Sequence, residues 1–564
     1  MILKRDWKWY IGVYLILAFL IWLSEFLYFW QFGIYEDDFT RIPSAMAWSW
    51  SDFFHQAWWL LSNFYGQGRP IQPILVDFFS RLAGGLGNYH SLYIFGFLNL
   101  TIVAFLFYTV MDRILPRKAA LLSAIAFVLY PADTTQPFLY HSLGLYPSLS
   151  FFFVACHFYL SRKPVPAYAM LILSLLTYET IVPVFIAIPI FSFEWTRNWR
   201  REFLVNAVIV AVLLAGAFGL RTLTGEKRVL EMGFNELLTT PFVHMMQGPV
   251  VSLGTFAYRP YQVIANISLD LFLVIVIAFI FLFALLRRQV FEQEMDDYSF
   301  LPLLKGKRSL RSLSPGLKQQ LIHLVAGFVM LVLAYALTYT VRAYAITGRD
   351  TRVHLSAVVG ASVVAGTVFS LFLYSFEKTP ARNLGKSLVA LLLAMLAGFS
   401  VYVQKDYVTS WRYQQAFWGD VVELCSDVES GTVILVDPDG IADTRQIAAN
   451  TWNLPRILNQ LYNFPEEWEP PRVYRLAEDW EDRILTTDGQ MQLNAATTIA
   501  PPSLYRSVAP EEVILLAYVN GQLTRREAEL VLPSLNVGLR QPGESVLALQ
   551  PKGILYDLML EGEG

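Results

Sequence analysis

Three carboxylates stand in a row at Glu36-Asp37-Asp38, just past the end of a long apolar run. A carboxylate can take the proton of a hydroxyl nucleophile, and two neighbouring ones suit Mg²⁺ or Mn²⁺. An ionisable cluster at the edge of a hydrocarbon core is costly and calls for a functional reason. The competing reading is a solvated loop beyond a helix end. Three acids together, followed by Arg41, favour the functional one. If the segment is extended, successive side chains alternate in direction, so Asp37 points opposite to Glu36 and Asp38. Asp37 is then the expected base. Asp38 is the expected cap of a helix near 39–47 or a metal ligand, and Glu36 completes the candidate catalytic set.

Guanidinium groups bind phosphate in a bidentate fashion. Arg349 and Arg352, around Thr347-Gly348-Arg349-Asp350, are the best candidates to hold a lipid phosphate or pyrophosphate. Arg41, Arg69, Arg81, Arg221, Lys227, Arg228, Arg259 and Arg342 are the other basic residues expected on that side of a membrane. Anchoring at the interface is the alternative for each. Glu179 interrupts an apolar stretch and is either a site residue or the partner of a nearby arginine. Of His55, His90, His141, His244 and His354, the two at span ends, His141 and His354, are the best substrate-binding candidates. A structural role competes for both. Asp133 is a weaker candidate, and Asp437 and Asp439 read as turn residues. No Ser-His-Asp set, Walker loop, dinucleotide fingerprint or zinc spacing is present.

These groups need elements to position them, and the composition says which. The chain has 564 residues, is 55% hydrophobic, and carries about ten long apolar runs, so it is expected to cross a membrane many times. No basic tail or stripe argues for nucleic acid. Cys156 and Cys425 lie in different regions, so no disulfide is expected between them. Lys4, Arg5 and Lys8 precede the run 9–30, which reads as an uncleaved first span with a cytoplasmic N-terminus. A long first loop, 31–91, follows. It holds the acids, a Trp-rich interfacial stretch (Trp48, Trp50, Phe53, Phe54, Trp58, Trp59), the break Gly68-Arg69-Pro70 and an amphipathic piece at 71–82.

Further spans are expected at 92–110, 119–130, 143–160, 203–220, 265–286, 321–341, 353–376 and 388–403. The stretch 166–193, with Tyr178-Glu179 in its middle, is one long helix or a short hairpin. Arg197, Arg200 and Arg201 follow it, and Arg287, Arg288, Lys305, Lys307, Arg308 and Arg311 follow a later span. Both clusters fall inside only if this stretch crosses twice. Each limb is then about 12 residues, roughly 18 Å of helix against about 30 Å of hydrocarbon. Its tip would be recessed, which is allowed where the backbone lines a protein cavity.

The expected architecture is therefore an all-α polytopic domain at 1–404, with about eleven transmembrane helices and a catalytic first outer loop. A small extracytoplasmic α/β or α+β domain at 405–564 follows it. In that domain Thr432 to Val436 reads as a strand entering the turn Asp437-Pro438-Asp439-Gly440, and Val513–Val519 with Asn520-Gly521 as a strand entering a tight hairpin.

A first span, an acidic motif at its outer end, interfacial helices in the first loop and short recessed spans together resemble the GT-C superfamily of membrane glycosyltransferases. Asp-Asp-Phe-Thr-Arg at 37–41, with Gly68-Arg69-Pro70 about thirty residues later, is similar to the bacterial polytopic glucosyltransferases that decorate O-antigen. Thr177-Tyr178-Glu179 looks like the pattern in lipid A aminoarabinose and protein mannosyl transferases. The resemblance covers most of 1–403. It implies a sugar donor on a polyprenyl phosphate and transfer to an extracytoplasmic acceptor, which is a cell-envelope glycan, a lipid or a protein. It further implies Asp37 or Asp38 as base and Arg69 as a first-loop site residue. The rival readings are a transporter or flippase of lipid-linked sugars, a non-catalytic membrane scaffold, and a ligase of the O-antigen type.

The charge distribution makes the expected topology testable. A cysteine at Ser430 should react with an impermeant reagent in intact cells, and one at Ser312 should not. Labelling at Ser312 overturns the two-limb hairpin and the parity of every later span.

Overall fold

The computed structural model describes residues 7–64, 68–191, 199–223, 233–288, 315–377, 379–437, 444–478, 480, 486–487, 490–526, 530–532 and 535–561. Lys4, Arg5, Arg197, Lys227, Arg228, Lys305, Lys307, Arg308, Arg311, Ser312 and the turn residues 438–440, Asp439 among them, lie outside the described residues. The chain forms two compact units. The first comprises Met1–Leu27, Phe54–Phe79 and Ser91–Gln404, and the second Tyr28–Phe53, Ser80–His90 and Lys405–Gly564.

The chain is mostly helical, with a small C-terminal sheet region. Among the described residues seven helices are long and apolar enough to cross a membrane: Trp7–Gln31, Ser91–Met111, His141–Leu160, Arg200–Leu223, Leu269–Arg287, Ala357–Glu377 and Arg382–Leu424. Pro164–Thr177, Glu179–Phe191 and Leu317–Leu333 are apolar but shorter. Arg117–Val128 is shorter still and almost wholly buried, packed against Ser91–Met111 and Ala357–Glu377. Small residues permit this close approach, as they do between membrane helices generally. A Cβ on Gly366 would overlap the Ser123 backbone, and one on Gly360 would overlap the backbone at Leu331.

The stretch around Glu179 is broken, not continuous. The helix Pro164–Thr177 stops at Tyr178, which is extended (φ −159°, ψ 110°). A 3₁₀ helix, Glu179–Ala187, carries Pro183, and the short helix Ile188–Phe191 follows. Proline removes a backbone donor and disfavours a regular α-helix here.

Three element boundaries differ from the sequence expectation. The run 321–341 leaves its helix at Leu333, and the next long helix begins only at Ala357. Between them lies a polar segment with a 3₁₀ turn, Arg349–His354. A 32-residue helix, Phe234–Ala265, was not anticipated, because Pro241, Pro249 and Pro260 and its mixed polarity hide the pattern. The change to polar composition at Lys405 does not end a helix either: Arg382–Leu424 runs unbroken for 43 residues.

In the second unit five strands form one sheet: β1 Val433–Val436, β2 Arg472–Leu476, β3 Thr498–Ile499, β4 Val513–Val519 and β5 Gln522–Arg525, in the order β3-β2-β1-β4-β5. β1 pairs in parallel with β2 and β4, while β3 and β5 are antiparallel edges. The central strand is buried along its whole length, which is why it reads as an uninterrupted apolar run. The helix Leu454–Leu461 makes the β1-to-β2 crossover and buries Leu454, Ile457, Leu458 and Leu461, one face at helical spacing. Asn520 (φ 53°) and Gly521 (φ 81°) form the two-residue turn between β4 and β5, where positive φ at both positions is required.

Arg525, at the end of β5, bonds both oxygens of Asp427 at 2.6 and 3.1 Å, and the Gly543 N–H adds a third bond at 2.9 Å. Burial pushes the Asp427 carboxyl up, but the bonds from Arg525 and Gly543 and the Arg525 charge outweigh it and hold it below the usual range. A depressed folded pKa gives stability that is present above the unfolded value, about 3.9 for Asp, and is lost as pH falls through the folded value. Asp427→Asn should cost about 3 kcal/mol by leaving the buried Arg525 charge uncompensated. The loss should be largest at neutral pH and shrink below about pH 4. Chemical unfolding of the full chain across pH checks this, and a flat pH profile of the difference sinks it.

Candidate functional site

In the first unit the ends of several short or broken helices gather polar side chains. The segment after Arg117–Val128 supplies Asp133, which accepts from the Thr135 N–H (2.9 Å), the Thr135 hydroxyl (2.6 Å) and the Tyr146 phenol (2.9 Å). Burial pushes the Asp133 carboxyl above its usual range. The bonds from Thr135 and Tyr146 and the charge of Arg352 pull only part of the way back. Thr134 bonds Thr351 through its N–H and its hydroxyl, at 3.1 and 2.9 Å. Thr180 bonds Ser356 at 2.6 Å. These pairs tie the segment 131–136, the Tyr178 break and the segment 334–356 into one polar region.

Arg349 and Arg352 begin and end one turn of the 3₁₀ helix Arg349–His354, so they share a face. Gly348 admits them by turning the chain at φ 75°, a conformation that favours glycine. The positive charges of both act on His141, and that of Arg352 also acts on Asp133. His141 is fully buried, and neither ring nitrogen has a hydrogen-bond partner among the described residues. It opens a π-turn, His141–Leu145, a wide-turn geometry found often at functional sites. Within that turn Gly144 lies against Gln72 and Val76, where a side chain would collide.

His354 is equally buried but is spent on structure. Nε2 faces the Ala345 carbonyl at 2.8 Å and must donate to it, so Nδ1 accepts from the Tyr335 phenol at 2.6 Å. Burial lowers its pKa to about 4. The Ala345 bond works against the shift and the Arg259 charge adds to it, so the ring is neutral near pH 7. Of the two histidines singled out in the sequence, the fold leaves polar atoms open only on His141.

Glu179 is the partner of two arginines. Arg69 donates through Nε (2.6 Å) and Nη2 (2.5 Å), and Arg221 lies at 2.7 and 3.1 Å. The Arg69 guanidinium also stacks over the Tyr178 ring, 4.7 Å from its centroid. Gly68, at φ 64°, turns the chain into Arg69, and the stem of Arg221 packs against it. The group keeps one net positive charge. Arg221 was only one of several basic residues in the sequence, and nothing there marked it as the second clamp. Glu25 was missed. It is a buried carboxylate at the end of the first helix, bonded to Ser400 and within electrostatic reach of Asp133. A lone acid in an apolar run was the signal that could have found it.

The acidic triplet belongs to the second unit and is not extended. Glu36–Thr40 is a 3₁₀ turn with Glu36 at φ 37°. Asp38 is buried and accepts the Tyr35 N–H at 3.3 Å. It does not cap the next helix, Ile42–Ala47, which has Arg41 at its N-cap and no side-chain cap bond. The 3₁₀ turn intervenes, and Pro43 removes one of the donors a cap would serve. Glu36 is also buried, its Oε1 accepting the Ala448 N–H at 3.3 Å. Asp37 is the one member that is partly exposed. Among the described residues no group of three or more His, Cys, Asp or Glu side chains is arranged to hold a metal ion, Asp37 and Asp38 included.

No protein-family model, no curated protein and no solved structure matches this chain.

Glu179→Gln removes the charge that two part-buried guanidiniums share, and should destabilise the first unit by about 1.5–3 kcal/mol, the range for hydrogen bonds to charged groups. Adding Arg221→Gln should recover part of that loss. Thermal unfolding in lipid nanodiscs reads both, and an unchanged midpoint for Glu179→Gln would show that the clamp does not hold the fold.

Proposed function

We propose that this chain is a multi-pass membrane glycosyltransferase of the GT-C type. It transfers a sugar from a polyprenyl-phosphate carrier to an acceptor hydroxyl on the extracytoplasmic face of the cell membrane. The observation that carries the reading is Arg349 and Arg352 on one face of a turn at a span end, both acting on buried His141, whose ring nitrogens have no hydrogen-bond partner among the described residues. Two guanidiniums and an imidazole suit a phosphate monoanion or dianion. A phosphate tethered to a lipid tail needs such a site at the end of a membrane helix. The seven long helices, the three shorter apolar ones and Arg117–Val128 supply eleven crossings in this reading. That parity has the N-terminus in the cytoplasm and Lys405–Gly564 outside.

The chemistry assigned to each residue follows. Arg349 and Arg352 hold the donor phosphate and stabilise the charge that grows on it as the bond to the sugar C1 breaks. Asp37 takes the proton of the acceptor hydroxyl, whose oxygen attacks C1; the lipid phosphate leaves with the bonding electrons. Partial exposure supports Asp37 as base, since Glu36 and Asp38 are buried. Arg69 and Glu179 act as a positioning pair in this scheme, and His354 as a support for the turn that carries the arginines.

Purified protein with a polyprenyl-phosphate hexose tests the reading. Arg349→Ala or Arg352→Ala should weaken donor binding by about 1.5–3 kcal/mol, and lysine should restore only part. Asp37→Asn should slow turnover by about 10²–10⁴-fold while donor binding survives. Full turnover in both Asp37→Asn and Asp38→Asn would sink the mechanism.

A further inference from the structure

The helices Ser91–Met111 and His141–Leu160 end side by side in the first unit. A cavity of about 310 Å³ opens at these ends, lined by Arg113, Ile114, Tyr159, Leu160, Arg162 and Phe191. Arg113 and Arg162 are exposed, so the cavity is reached from the surface. None of the six lining residues serves the proposed transfer.

Arg113 is fixed in place without being neutralised. Its Nη1 donates to the His157 carbonyl (3.0 Å), the Ser161 hydroxyl (3.0 Å) and His157 Nδ1 (3.3 Å). A guanidinium can only donate, so Nδ1 accepts and the ring proton sits on Nε2, 2.8 Å from the Thr109 hydroxyl. All three partners of Arg113 are therefore neutral. Its Nε and Nη2 make no hydrogen bond, and it pairs with no carboxylate, among the described residues. Asp112, its neighbour in the chain, is turned to the Tyr10 hydroxyl at 2.7 Å, with Arg117 at 3.8 Å.

Arg162 stands where glycine is usual. The helix Pro147–Leu160 closes with Lys163 N–H on the Phe158 carbonyl and Arg162 N–H on the Tyr159 carbonyl, both at 2.9 Å, the Schellman pattern. Arg162 takes the left-handed position of that pattern, at φ 58°. A side chain there is strained, and such strain persists where something else gains from it. Its Nη1 meets Glu202 at 3.0 and 3.1 Å, but the side chains are 69% and 36% exposed, and such pairs are worth about 0–1 kcal/mol. Tyr159 adds a phenol whose hydroxyl makes no hydrogen bond among the described residues, its ring resting edge-on against Phe185.

Two guanidiniums with open N–H groups and a free phenol suit a phosphate. The volume is at the low end of small-molecule sites, about 300–1,000 Å³, enough for a head group. Ile114, Leu160 and Phe191 make part of the wall apolar, and the cavity lies at the ends of membrane-length helices, where lipid head groups are. In the parity given above both helices run inward, and basic pockets between helices on that side take anionic lipid. We propose that this cavity binds the phosphate of an anionic phospholipid from the cytoplasmic leaflet. A zwitterionic head would bring its own cation against the arginines. The site needs the chain to cross a membrane and does not depend on the transferase reading.

The test uses the full chain in nanodiscs of mixed phosphatidylglycerol and phosphatidylcholine, with native mass spectrometry reading the lipid that stays bound. Phosphatidylglycerol should be retained in preference. Arg113→Gln should weaken its retention by roughly tenfold, the worth of a charged hydrogen bond, and Tyr159→Phe by roughly fivefold. Arg162→Gly should weaken retention yet keep or raise the melting temperature, because glycine suits φ 58° better. Arg288→Gln, which removes an exposed charge at the end of another span, should leave retention unchanged. Where Arg113→Gln does not fold, Tyr159→Phe and Arg162→Gly decide. Equal retention of both lipids, no loss in the cavity variants, or an equal loss in Arg288→Gln overturns the inference. Displacement of the lipid by millimolar inorganic phosphate assigns the cavity to a soluble anion and overturns it too.

Discussion

Glu179 can stay buried as a carboxylate only because Arg69 and Arg221 both bond it. An isolated ion in an apolar interior is costly, and a single partner leaves lone pairs unmet. Two guanidiniums meet them and tie together three stretches distant in sequence: the Gly68-Arg69-Pro70 break, the Tyr178 break and the end of the helix Trp199–Leu223. The limbs that meet at Tyr178 can remain short because this clamp, and the Thr180–Ser356 bond beside it, satisfy polar groups that lipid would not.

The polar region of the first unit follows the same rule. Each helix that stops early exposes backbone and must be met by side chains. Thr134 with Thr351, Tyr130 with Ser252 and Tyr335 with His354 are such meetings. Arg259 also donates to the carbonyls of Pro131 and Ile346. Against this background of paired groups, His141 stands out by its two open nitrogens.

The acids at 36–38 show how a turn divides neighbouring residues of one chemistry. A 3₁₀ turn buries the first and third against other chain and leaves the second partly exposed. An extended strand would also have set Asp37 apart from its neighbours, by direction and not by burial. Its companion expectation, Asp38 as a helix cap, depended on the extended form and fell with it.

Much of this protein is legible in the order of its residues. Apolar runs long enough to cross hydrocarbon, the punctuation at Gly68 and Tyr178-Glu179, and the Asn520-Gly521 turn follow from local chemistry, because each depends on residues adjacent in the chain. The candidate arginines were legible for a similar reason: positive charge at a span end needs an explanation. Partnership was not legible. That Glu179 would meet Arg221, that His354 would spend both nitrogens while His141 spends neither, and that 444–453 would enclose the acidic turn are decided by pairings across tens to hundreds of residues. Hydrogen bonds and ion pairs depend on distance in space, which hydrophobic periodicity does not encode, so only the tertiary structure could assign them.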